Sequence, residues 1–105
     1  MFYALYLKDC TYHFVFTDEN VEVATIEFDV TPHIAPLVTL RTAPSLSNDL
    51  YRDLRALAAD YDRLSHEAWA MTREYLQGAS GVLICDAHYG QMLFCSDFDA
   101  LTDII

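Results

Sequence analysis

The chain has 105 residues and a mass of 12.0 kDa, enough for one hydrophobic core and too little for two, so it reads as a single domain over 1–105. An apolar fraction of 53% argues against disorder, and no apolar run is long enough to span a membrane. Sixteen acids face six bases for a net charge of −10, which sets direct nucleic-acid binding and attachment to anionic lipid aside and favours a basic protein surface as partner.

The N-terminal MFYALYLKDC is too short and too polar for a signal peptide, and three cysteines, an odd number, do not make a closed disulfide framework. The expectation is a cytoplasmic protein with reduced thiols. Phe2–Leu7 and Thr11–Thr17 are rich in aromatic and β-branched residues and read as strands, with a turn at Lys8-Asp9 between them. Asp18-Glu19-Asn20 makes a second turn into a third strand, Val21–Val30. There Ala24, Ile26, Phe28 and Val30 share one face, while Thr25, Glu27 and Asp29 share the other. Such alternation belongs to an antiparallel sheet with one wet side. Pro32, Pro36 and Pro44 mark a connection, with Leu37–Arg41 as a short edge strand inside it.

Ser45 and Ser47 offer start signals for a helix over residues 49–77, and Gly78 offers its stop. Its seam runs Leu50, Leu54, Leu57, Tyr61, Leu64, Ala68, Met71, Tyr75 in steps of four and three. Unbroken, this helix is about 43 Å long, whereas a domain of this size is about 34 Å wide. It therefore either breaks, around Asp60–Ser65, or overhangs and pairs with a second copy. Tyr51, Trp69 and Leu76 lie off the seam and widen the stripe, which favours packing on a sheet. Gly81–Cys85 and Gln91–Cys95 read as a C-terminal hairpin. The tail SDFDALTDII reads as a short amphipathic helix begun by Ser96. The expected architecture is α+β: a three-stranded meander plus a C-terminal hairpin, packed against one long helix with a possible break.

Two pairs, Cys10/His13 and Cys85/His88, have a spacing that can hold zinc when both residues flank a tight turn. Residues three apart on a strand point to opposite faces, so Cys10 and His13 cannot share an ion on a regular strand. Cys85, His88 and Cys95 supply at most three ligands, and buried thiols acting as small apolar groups are the expected state. No metal or cofactor is expected. Asp62 and His66 stand one helical turn apart and read as a solvated pair. Only Gly78, Gly81 and Gly90 occur, so there is no phosphate-cradling loop, and no nucleophile with its base is legible. The chain is expected not to be an enzyme.

Acidity remains. Asp18, Glu19, Glu22, Glu27 and Asp29 crowd one hairpin, Asp97, Asp99 and Asp103 the tail, and Asp60, Asp62 and Glu67 the helix. Brought together, such charges imitate a phosphate backbone, and Tyr12 and Tyr89, with Tyr3 and Tyr51, offer aromatic anchors beside them. In size, charge and lack of a legible catalytic set the chain resembles the small acidic proteins with which phages and mobile elements block nucleic-acid-handling machinery, anti-CRISPR proteins among them; no residue motif carries this resemblance. It implies a non-catalytic inhibitor or adaptor that places an acidic surface on a basic site of a nucleoprotein complex. The alternatives are a structural homodimer or assembly subunit built on the helix, and a metal- or ligand-binding domain.

Overall fold

Alternation of large apolar and polar side chains in the N-terminal segment produces the meander: β1 (Phe2–Lys8), β2 (Thr11–Asp18) and β3 (Val21–Phe28) are successive antiparallel strands. The computed structural model describes residues 1–29, 35–77, 84–86 and 89–98, and the backbone alone at 75, 84–86, 91, 92 and 94–97. Both hairpins close through two-residue loops, Asp9-Cys10 (φ 49° and 64°) and Glu19-Asn20 (φ 50° and 65°). Positive φ at both loop positions matches the twist of paired strands. β4 (Thr39–Thr42) adds to β3, so the proline-rich connection does carry a short edge strand. β5 (Ile84–Asp86) and β6 (Gly90–Asp97) form the C-terminal hairpin, and β6 pairs with β1. One antiparallel sheet results, in the order β4-β3-β2-β1-β6-β5.

Two bulges set which side chains face where. Asp18 pairs with Val21 and Thr17 with Glu22, but Phe16 pairs with Ala24, leaving Val23 as an extra residue on β3. Leu5 pairs with Phe94 and Tyr6 with Met92, leaving Leu93 as the extra residue on β6. An inserted residue reverses the inward-outward phase of its strand. As a result Glu22, Thr25 and Glu27 all belong to one face, although Glu22 and Thr25 are three residues apart.

The other face builds the core. Tyr3 and Leu5 of β1, Phe14 and Phe16 of β2, and Ala24, Ile26 and Phe28 of β3 are buried in one cluster with Leu93 and Phe98. The helical layer completes it, with Leu54 and Leu57 from α1 (Asn48–Ala58) and Leu64, Ala68 and Met71 from α2 (Tyr61–Leu76). The four-three seam is therefore spent on the sheet as far as it is described; the side chain of Tyr75 lies outside the described residues.

The helix breaks at Ala59-Asp60. The Asp60 amide bonds back to the Leu57 carbonyl at 3.0 Å, closing α1, and its carboxylate Oδ1 accepts from the Arg63 amide at 3.2 Å, capping α2. Ser47 caps α1 likewise, its hydroxyl accepting from the Leu50 amide at 3.3 Å. At 1.5 Å per residue α2 is about 24 Å long, and the molecule measures 37 × 34 × 28 Å. Tyr51, Trp69 and Leu76 do not widen the buried stripe: they are 41%, 45% and 74% exposed. The C-terminal tail beyond Phe98, the Gly78 stop signal and Gly81 lie outside the described residues.

Candidate functional site

Among the described residues the helices lie on one side of the sheet only, leaving the second face open, and cross-strand register decides what meets there. His13 of β2 pairs with Glu27 of β3, Thr25 with Arg41 of β4, and Tyr6 of β1 with His13. The Glu27 carboxylate Oε1 stands 3.4 Å from Arg41 Nε and 3.8 Å from His13 Nδ1. At 3.8 Å the His13 contact is too long for a hydrogen bond, and its buried Nδ1 has no partner among the described residues. Burial pushes the His13 pKa below its ordinary value of 6.5, with Glu27 opposing and Lys8 and Arg41 reinforcing the shift. His13 is therefore neutral at neutral pH and adds no positive charge to the face.

Tyr89 enters from the β5–β6 turn. Gly90, with φ 88°, begins β6 where an added Cβ would stand 2.9 Å from the Leu7 carbonyl oxygen, so glycine is what lets β6 close on β1. The Tyr89 ring then lies 5.0 Å from that of Tyr6 and 6.0 Å from that of His13. Its hydroxyl donates to Glu22 Oε1, and Thr25 Oγ1 donates to the same oxygen at 3.0 Å. Glu22, Thr25, Glu27, Arg41 and Tyr89 line a cleft of about 500 Å³ at the β3–β4 side of the face.

The structure gathers part of the acidic set expected from sequence. Glu22, Glu27 and Tyr89 share the open face. Asp18 and Glu19 lie exposed at one end of the β2–β3 hairpin and Asp29 at the other. Asp97 joins the Glu22 end, since Asp97, Phe2, Thr17 and Glu22 pair successively across four strands; its side chain, and Asp99 and Asp103 altogether, lie outside the described residues. Tyr12 does not join them. It sits on the helix-facing side against the core, its ring stacked 6.0 Å from Phe28. Tyr3 is no surface anchor either, being 1% exposed with its hydroxyl donating to Glu67 Oε1 at 2.8 Å. Tyr51 lies on the helical layer.

His13, Thr25 and Arg41 were not legible as parts of a site, because they meet only through register. Cys10 is exposed in its turn, Asp62 and His66 are both exposed on α2, and His88 with the side chains of Cys85 and Cys95 lies outside the described residues. Among the described residues no group of three or more histidine, cysteine or acidic side chains is placed to hold a metal ion, and no helix is long and apolar enough to cross a membrane. No protein-family model, curated protein or solved structure matches the chain.

Proposed function

We propose that this protein is a non-catalytic inhibitor or adaptor acting in the cytoplasm, presenting the acidic sheet side of its fold to a basic surface on a nucleic-acid-handling protein complex, as the anti-CRISPR resemblance implies. The observation that carries this reading is where the charge lies. Residues 1–29, which carry β1 to β3, hold six acids against Lys8 alone, β5 and β6 add Asp86 and Asp97, and Arg41 of β4 is the one further base on the described strands. The helices are nearly balanced: α1 has Asp49 and Asp53 with Arg52 and Arg55, and α2 has Asp62, Glu67 and Glu74 with Arg63 and Arg73. Charge kept for solubility alone has no reason to favour one layer. Concentrated on one side, it steers a positively charged partner and speeds encounter.

Capture from a cell extract at low salt, followed by mass spectrometry, tests this. The expected catch is a nucleic-acid-handling complex that is released as salt rises and is not captured by the triple variant Asp18→Lys, Glu19→Lys, Asp29→Lys. These three side chains are exposed, so the fold tolerates their reversal. Retention that ignores both salt and the variant overturns the reading.

The helical layer supports a second reading, a homodimer or assembly subunit. Trp69 and Leu76, seven residues apart on one side of α2, are exposed on a layer of balanced charge. Sedimentation separates the two: a dimer that Trp69→Asp dissociates favours this alternative, and a monomer at micromolar concentration removes it.

A further inference from the structure

The cleft on the open face has features that a merely acidic surface does not need. At about 500 Å³ it falls within the range of small-ligand sites, about 300–1,000 Å³. Glu22 is held in it. Thr25 and Tyr89 both donate to Oε1, which fixes the carboxylate and leaves Oε2 with its acceptor capacity among the described residues. The β3 bulge at Val23 brings this carboxylate onto the Glu27 face. Glu27 forms the far wall with Arg41, whose Nε lies 3.4 Å from Glu27 Oε1. Arg41 is mostly exposed and already carries a carboxylate, so an anionic guest would meet two acids and one engaged base. A cationic guest meets an oriented carboxylate with a free oxygen.

We propose that the cleft receives an arginine side chain of the partner, with Glu22 as its anchor. The guanidinium donates to Glu22 Oε2, and the Tyr89 and Thr25 side chains hold that carboxylate in place. A planar guanidinium uses a fixed carboxylate better than an ammonium does, because its donors are set in a fork of matching geometry. This deepens the docking reading, on which it rests, by naming the residue type that the partner surface must offer.

Titrating isotope-labelled protein with N-acetyl-arginine amide at low salt, followed by NMR, tests it without the partner. Saturable shifts are expected at the amides of Thr25, Glu27, Arg41 and Tyr89, with affinity reduced at least about tenfold in Glu22→Gln and weaker binding of the lysine analogue. Glutamine can still accept from Tyr89 and Thr25, so the fold is kept. The double variant Asp53→Asn, Glu74→Gln, whose sites are exposed on the helices away from the cleft, is expected to bind as the parent does. Absence of saturable shifts, shifts confined to other residues, or equal binding by Glu22→Gln overturns the proposal. Partner capture that survives Glu22→Gln but is lost on reversing Asp18, Glu19 and Asp29 overturns the cleft alone. Arginine binding that depends on Glu22, with no salt-sensitive capture of any complex, supports the cleft and overturns the docking reading.

Discussion

His13 sits where a positive charge is costly to hold. Its Nδ1 is buried without a partner among the described residues, the Tyr89 ring lies beside it, and Lys8 and Arg41 repel its protonated form while Glu27 and Asp9 favour it. Because burial dominates, the folded pKa lies below 6.5 and the unfolded chain binds more protons in that region. The stability contribution is therefore complete above pH 6.5 and is lost as pH falls from there toward the folded value. Urea unfolding midpoints followed from pH 8 down to about 5 should decline, and His13→Phe should flatten that decline; equal slopes in the two proteins would refute the assignment. Tyr3 makes a second residue-scale test. Removing the hydroxyl in Tyr3→Phe takes a hydrogen bond from a half-buried carboxylate and should cost about 1 kcal/mol. The inward position of Tyr3 and Tyr12 is legible from strand parity with core residues (Tyr3 with Leu5, Tyr12 with Phe14 and Phe16), although residue type alone does not give it, because tyrosine serves interiors and surfaces alike.

At the scale of elements, the strands and the helical seam follow from periodicity, and the helix break follows from Asp60, a poor interior residue and a good cap. Asp60→Ala should lower stability by about 1 kcal/mol while Asp60→Asn, which keeps an acceptor, should leave it nearly unchanged; denaturant unfolding reads both. The hairpin loops allow a gain as well. Cys10 holds φ 64°, a conformation that costs a residue bearing a Cβ about 1 kcal/mol, so Cys10→Gly should raise the unfolding free energy by a similar amount. The bulges were not legible. A regular β2–β3 hairpin continued from the Asp18–Val21 pair would set His13 opposite Ile26; the extra residue Val23 sets it opposite Glu27 instead. The cleft and the His13–Glu27 pairing beside it depend on that one-residue slip, and a slip is decided by pairing across strands that no local pattern displays.

For the whole molecule, net charge was visible from composition, but its division between layers required knowing that the helices lie on one face of the sheet. The acids of β1 to β3, with Asp86 and Asp97 of β5 and β6, then belong to the sheet and its turns, while the helices carry arginines enough to balance most of their own. Two triple variants with the same change in net charge separate location from quantity. One reverses Asp18, Glu19 and Asp29 at the ends of the β2–β3 hairpin, and the other reverses Asp53, Asp62 and Glu74 on the exposed side of the helices, all six to lysine. The association rate of each with the captured complex at low salt is the most direct test. A fall of at least about tenfold for the sheet variant alone is the predicted result; equal rates in the two variants would contradict an oriented acidic surface and leave only the total charge.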